Sequence, residues 1–334
     1  MAVTIKDVAK AVGVTPTTVS MVVRGDKRIS AATTERVKKV IKEMNYRPNY
    51  IGRSLVKGRK NVIAIASGFF SNMFTVEIMR GIESKLIPTN YRVNQYATRG
   101  VREKEDEMFR EILYGARPEA LICISLKPSA EIIAEFNKEG MPVISVEESA
   151  EGISTVKVDN EKGAFIAVDY LVKKGRTQIG LVLGKLVGDI GGANANERLK
   201  GYKDALNMHG ISYNPERVME VADYSFEEGI ESVNRLYRRD AKFDAIFCAA
   251  GDMSAAGIIR RAQEKGIKVP EDLSIIGYDD MVVASIVSPA LTTINQPVFE
   301  MGRASIDLAM DIINKKETDK TVTFQPTLVV RASA

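Results

Sequence analysis

From Asn61 onward the chain repeats one texture, and it constrains the fold more than any other feature. Short apolar runs rich in Val and Ile alternate with helical stretches of roughly 10 to 18 residues. The runs are Val62–Ala66, Arg92–Ala97, Ala120–Ser125, Pro142–Val146, Thr155–Val158, Gln178–Gly184, Val218–Val221, Ala245–Ala250 and Leu273–Gly277; Arg92–Ala97 is the most polar of them. Strands that lack polar alternation are buried on both faces, so the pattern predicts α/β lobes whose parallel sheets are covered by helices on each side. About 270 residues of it exceed one comfortable core, and two doubly wound lobes are expected. A ligand in such sheets binds at the carboxyl ends of the strands, and with two lobes the natural site is the cleft between them.

Residues 1–48 read instead as three short helices. Ile5, Val8, Ala9 and Val12 share one face of the first, which Gly13 ends because glycine tolerates a left-handed backbone. Thr15 stands where an N-cap belongs, with Pro16 at the first helical position, and this second helix stops at about Val23, before Arg24-Gly25-Asp26. A third opens at Ser30, carries Val37, Val40, Ile41 and Met44 on one face, and ends at Asn45-Tyr46-Arg47-Pro48. Two helices joined by a tight Gly turn, with a third closing the core, make a helix-turn-helix. Charge divides at the same place. Residues 1–60 hold 14 Lys and Arg against 4 Asp and Glu, a net +10, while the rest is net −6, so the overall +4 hides a basic segment on an acidic body. That is the footprint of a nucleic-acid reader. A solvated basic face, or a three-helix module for a protein partner, is the alternative that charge and spacing alone leave open.

Several function classes are disfavoured. No segment reaches the ~18 uninterrupted apolar residues of a membrane span. Met1–Asp7 brings an acid before any apolar h-region, so neither a secretory signal nor a membrane partner is expected, and the cytoplasm is the default compartment. Cys123 and Cys248 sit in apolar runs without CxxC or Cys/His spacing and are expected to be buried thiols. With His209 the one histidine, neither a polyhistidine metal site nor a histidine triad is expected. No phosphate-binding glycine fingerprint follows the first strand, where Ala66-Ser67-Gly68-Phe69-Phe70 stands. No catalytic residue, metal or cofactor is therefore assigned.

Thr4-Ile5-Lys6-Asp7-Val8-Ala9, Gly13-Val14-Thr15, Thr18-Val19-Ser20 and Tyr46-Arg47-Pro48-Asn49 closely resemble the headpiece of the LacI/GalR family of bacterial transcriptional regulators. The resemblance continues through Arg53-Ser54-Leu55, Arg80-Gly81-Ile82-Glu83 and Glu197-Arg198-Leu199-Lys200-Gly201-Tyr202. It ends in Val269–Asp280 and Leu291-Thr292-Thr293-Ile294-Asn295-Gln296-Pro297. It implies a helix-turn-helix headpiece (1–48), a hinge helix and linker (49–60), and an effector-binding, dimerising core (61–334) like the periplasmic sugar-binding proteins. In such a core the chain crosses between lobes three times. The N-lobe is expected over about 61–160 plus 291–322, and the C-lobe over about 162–290 plus 323–334.

The resemblance puts the second helix in the major groove of double-stranded operator DNA, where base pairs show distinct donor, acceptor and methyl patterns. Pro16, Thr17 and Met21 match positions that touch base edges; Thr15, Thr18, Ser20, Tyr46 and Asn49 match those that hold phosphates. Relatives often carry Arg, Lys or His where Met21 stands, so readout is expected to lean on Thr17 and on contact with thymine methyls. Leu55 matches the wedge that the hinge inserts into the minor groove, with Arg53 reaching phosphate or the groove floor. Gly52 replaces a usual Ala, costing roughly 1 kcal/mol of helix propensity and making hinge folding more dependent on DNA. A palindromic operator requires two headpieces, and with no heptad tail after Arg331 a homodimer is expected.

Carried over by position, the small-molecule effector would meet Ser67, the segment from Phe69 to Phe74, Glu147, Arg198, Asp252 and Asp279. Carboxylates accepting from hydroxyls, an arginine fork and aromatic walls suit sugars and related polar rings. Two stretches depart from the pattern, Ala249-Ala250-Gly251-Asp252 and the glycine-rich Gly184–Asn194, so a sugar, a nucleobase and a protein corepressor all stay open. A periplasmic-type solute-binding protein or an enzyme on the same α/β core is the competing reading.

Overall fold

The computed structural model describes residues 3–23, 25–26, 28–46, 61–98, 104–186, 192–238, 243–314 and 320–334. They form two compact units, Met1–Lys60 and Asn61–Ala334.

The small unit holds α1 (Ile5–Val12), α2 (Pro16–Val23) and α3 (Ala31–Glu43). Thr4 and Asp7 make a reciprocal capping box at the start of α1, the Thr4 amide donating to Asp7 Oδ2 at 2.8 Å. Gly13 ends α1 at φ +76°, and Arg36 Nη2 donates to the freed carbonyl of Val12 at 2.6 Å. Val8, Ala9, Val12, Val19, Val22 and Val37 close the core, with Val40, Ile41 and Met44 against it.

The large unit alternates strand and helix. In order come β1 (Val62–Ser67), α4 (Met73–Leu86), β2 (Arg92–Ala97), α5 (Glu105–Arg110, continued as a π-helical turn to Ala116), β3 (Ala120–Ile124), α6 (Ala130–Lys138), β4 (Val143–Val146) and β5 (Ser154–Val158). Then follow α7 (Asn160–Lys173), β6 (Ile179–Leu183), α8 (Gly192–Met208), β7 (Val218–Glu220), α9 (Phe226–Arg238), β8 (Ala245–Cys248), α10 (Asp252–Glu264) and β9 (Ser274–Asp279). The chain closes with α11 (Val282–Ile286), β10 (Thr292–Asn295), α12 (Val298–Ile313), β11 (Thr321–Phe324) and β12 (Thr327–Val329). Each of the nine apolar runs overlaps a strand. One sheet runs β11-β5-β4-β3-β1-β2, all parallel; the other runs β12-β10-β9-β8-β6-β7, parallel except for β12. Cys123 and Cys248 are buried thiols in the two sheets.

Three crossings join these N- and C-lobes, and two fall later than the sequence suggested. Thr292–Asn295 pairs parallel with Ile276–Asp279 and antiparallel with β12, so β10 belongs to the C-lobe and the chain leaves it only after Asn295, not at 291. β11 pairs with β5 through Phe324, which moves the last crossing beyond 322. Among the described residues no helix is long and apolar enough to cross a membrane.

Candidate functional site

In the headpiece the start of α2 is set by Thr15, whose Oγ1 accepts from the Thr18 amide at 3.1 Å and shares a 2.9 Å hydrogen bond with the Thr18 hydroxyl. Thr15, Pro16 and Thr17 are exposed, Thr18, Ser20 and Met21 are half-buried, and Val19 and Val22 lie in the core. No residue of α2 is charged, so its outer face offers hydroxyls and methyls. Tyr46 packs against the headpiece core. Asn49, Arg53 and Leu55 fall outside the described residues.

In the large unit, polar side chains converge where the two lobes meet. β3 and β4 run into left-handed residues, Ser125 at φ +53° and Glu147 at φ +83°. The Ser125 hydroxyl donates to Glu147 Oε2, and Asn194 Nδ2 of α8 donates to Glu147 Oε1 at 3.0 Å, a bond from C-lobe to N-lobe. Asn194 Oδ1 accepts from Asn160 Nδ2 at 3.1 Å; Asn160 Oδ1 accepts from Arg198 Nε at 2.8 Å and from the Tyr278 hydroxyl at 3.2 Å. Arg198 completes the chain by donating from Nη1 to the Ala249 carbonyl at 2.7 Å, its guanidinium 3.8 Å from the centre of the Tyr278 ring. Beside it Lys157 of β5 meets Glu197 of α8 at 3.7 Å, again across the lobes.

These groups set one another's protonation. Burial pushes Glu147 up to about 7, against the pull of the Ser125 hydroxyl and of Arg198. Burial likewise lifts Asp279 to about 6, although Arg198 and Gln296 favour its charge. Burial opposes the charge of Arg198, but Tyr278, Asp279 and Glu147 outweigh it and hold that group above its usual range. A fixed cation thus faces two carboxyl groups that exchange protons near neutrality. Tyr224 stands at the same place: it feels the charges of Arg198, Glu147 and Asp279, and a Cβ on Gly184 would collide with its hydroxyl.

Asp279 is held in a left-handed conformation at φ +104°, and Asp280 follows at φ +57°. Such backbone costs roughly 1–3 kcal/mol per residue and persists only where the surroundings enforce it. Gln296 Nε2 donates to Asp279 Oδ1 at 2.5 Å, while Arg331 Nη2 reaches Asp280 Oδ1 at 2.6 Å. Asp252 opens α10, and it is 1% exposed. Its Oδ1 accepts from the Thr293 hydroxyl at 2.6 Å and its Oδ2 from the Met281 amide at 2.7 Å. Expected as an effector contact, it has both oxygens committed inside the C-lobe; burial and the nearby Asp279 push its pKa well up.

The structure therefore brings Glu147, Arg198 and Asp279 together. Ser67 is buried at the end of β1, its hydroxyl donating to the Phe69 carbonyl at 3.2 Å; Phe69 is exposed, and Phe74 packs on the N-lobe core. Sequence reasoning missed Ser125, Asn160, Asn194, Tyr224 and Gln296. One signal was available: Asn194 precedes Arg198 by four residues, one turn earlier on the same helix face.

Comparison with known proteins agrees with this architecture. Residues 4–49 match the family model described as bacterial regulatory proteins, lacI family, and residues 168–334 match a periplasmic binding protein-like domain. The chain is similar to catabolite control protein A of Priestia megaterium, 33% identical over 98% of this chain and 97% of that one. It is similar to the HTH-type transcriptional repressor PurR of Aliivibrio salmonicida, 30% identical over 99% of this chain and 98% of that one. Among solved structures, the lac repressor dimer bound to operator and the anti-inducer ONPF superposes with a TM-score of 0.85 at 26% identity, covering 100% of this chain and 99% of that one. Headpiece and core alike are matched along nearly the full length, and the chain belongs to the lacI family of bacterial regulatory proteins.

Proposed function

We propose that this transcriptional regulator reads a palindromic operator as a homodimer, and that an uncharged polyhydroxy compound, a sugar, sets its operator affinity from the cleft between the lobes. The observation that carries the effector reading is the polar chain Ser125–Glu147–Asn194–Asn160–Arg198, which already joins the lobes. A ligand that exchanges its hydroxyls for these partners biases the angle between lobes, and only such differential contact shifts an equilibrium. The cleft favours a neutral ligand because Arg198 is flanked by Glu147 and Asp279; a phosphorylated sugar would meet two carboxyl groups. The cellobiose complex of the regulator CelR, 28% identical with a TM-score of 0.74 and coverage of 99% and 100%, supports the same class. Glu147, Arg198 and Asp279 are assigned as effector contacts, with Ser67 and Phe69 at the N-lobe edge.

For DNA, Pro16, Thr17 and Met21 are assigned to base edges, Thr15, Thr18, Ser20, Tyr46 and Asn49 to phosphates, and Arg53 and Leu55 to the minor groove. Support for the dimer comes from α11, whose Val282 and Ile286 are 61% and 73% exposed. The test is selection of bound duplexes from a pool of random palindromes sharing a central CG step, with and without neutral and phosphorylated sugars. Enrichment of one palindrome that Leu55→Ala abolishes, modulated by a neutral sugar, supports the reading. Sequence-blind binding under every condition overturns it, and enrichment that appears only with cell extract points to a protein corepressor.

A further inference from the structure

Resting on the effector reading of the cleft, we infer that Asp252 and Arg331 are positioning residues, which bracket the turn 279–281 from two sides and so hold Asp279 where an effector can meet it.

Asp279 and Asp280 are consecutive aspartates at positive φ, a conformation that aspartate adopts as a single residue but that two in succession hold only with support. Two donors and one acceptor fix the turn after Asp279. Arg331 Nη2 reaches Asp280 Oδ1 at 2.6 Å while its Nη1 donates to the Leu291 carbonyl at 2.9 Å, so the planar fork ties the turn to the start of β10. Asn295 Nδ2 donates to Asp280 Oδ2 at 3.1 Å. On the other side the Met281 amide donates to Asp252 Oδ2 at 2.7 Å, and Thr293 occupies Asp252 Oδ1 at 2.6 Å. A Cβ on Gly277 would strike that same Oδ1, so β9 needs glycine there for the carboxylate to reach across. Asp252 and Arg331 come from distant parts of the chain, α10 and the segment after β12, yet both anchor to β10 and both end on the same three-residue turn. The turn also launches α11, since Met281 is its N-cap and has no side-chain cap bond. Asp252 thus acts on the cleft through the backbone of 279–281. Substitution at either bracket should loosen Asp279 together with α11 and leave the N-lobe untouched.

The experiment takes the full-length protein, the variants Asp252→Asn and Arg331→Ala, and Asp279→Asn as the direct-contact control. Amide hydrogen exchange followed by mass spectrometry needs no effector. Exchange at least tenfold faster over 279–286 in both bracket variants, with 62–158 unchanged, is the expected result. Wild-type exchange over 279–286, or uniform acceleration across the whole C-lobe, overturns the proposal. Should Asp252→Asn fail to fold, Arg331→Ala alone decides by the same criterion. Calorimetric titration with cellobiose and with D-ribose gives the second readout. A sugar that binds the wild type should bind each bracket variant about tenfold more weakly and Asp279→Asn not detectably. Loss in Asp252→Asn as complete as in Asp279→Asn, with Arg331→Ala unaffected, would make Asp252 a direct ligand and overturn the bracket. If the wild type binds neither sugar, it is the sugar reading that fails for these compounds, and hydrogen exchange still decides the bracket.

Discussion

Glu147 is a residue whose chemistry depends on its surroundings. Its folded-state pKa rises from 4.5 to about 7, so between those values the folded protein binds a proton that the unfolded chain has released. The stabilisation is complete below about pH 4.5, declines as pH rises, and is gone above about 7. At ~1.4 kcal/mol per unit its ceiling is about 3 kcal/mol. Asp279, lifted from 3.8 to about 6, acts in the same direction. Wild-type melting temperature is therefore expected to fall from pH 5.5 to pH 7.5, and Glu147→Gln to flatten the slope without abolishing it. Parallel profiles for the two proteins would show that Glu147 keeps an ordinary pKa. Glu147, Arg198 and Asp279 were expected through the resemblance, carried over by position, and the fold brings the three within reach of one another's charge. Asn160 and Asn194 were not expected, since an amide has no motif of its own and earns its place only through partners remote in sequence. Asp252 came from the same carry-over, which could not show the Met281 amide and Thr293 hydroxyl that meet its two oxygens.

At the scale of elements, close helix crossings depend on glycine. α4 crosses α12 where Gly81 and Gly302 face each other; a Cβ on Gly302 would strike the Ile78 carbonyl, and one on Gly81 the Phe299 carbonyl. Both obstacles are backbone, so the helices must separate rather than a side chain turn aside. Gly302→Ala is expected to cost about 1–3 kcal/mol, in the range of overpacked cores. A urea midpoint lowered with an unchanged slope is the expected observation, and an unchanged midpoint would mean that the helices part freely. The central runs betrayed their strands because burial on both faces leaves no polar alternation to confuse with helix, whereas β2 at a sheet edge has no buried residue. β10 was hidden by its composition, Thr292-Thr293-Ile294-Asn295. Its threonines are fully buried, their hydroxyls engaged with the Arg331 amide and with Asp252, and such partners cannot be read locally. β11 and β12 are only four and three residues long and half-exposed, too short for the alternation in β11 to stand out.

At the scale of the whole molecule, two lobes and a basic headpiece were legible from texture and charge, while two of the points where the chain changes lobe were displaced, one by the hidden β10 and one by β11. Assembly adds a property that no single chain has. Two headpieces joined in a dimer meet the second half-site at high effective concentration, which raises affinity by roughly 10²–10⁴ over one headpiece alone. The proposed contact includes Val282 and Ile286, apolar and exposed on a five-residue helix that buries only Ala284. Ile286→Glu places a charge on each side of a symmetric contact, so two like charges would have to be desolvated together. The carboxylate stays in water in the separated chain, so folding should be spared and the melting temperature at low concentration little changed. Sedimentation velocity is expected to give a dimer for the wild type and a monomer for Ile286→Glu. On a palindromic operator the variant should bind at least a hundredfold more weakly, whereas on a single half-site the two proteins should bind alike. A variant that stays dimeric would move the interface away from α11. A monomer with undiminished palindrome affinity would mean instead that DNA itself supplies the assembly.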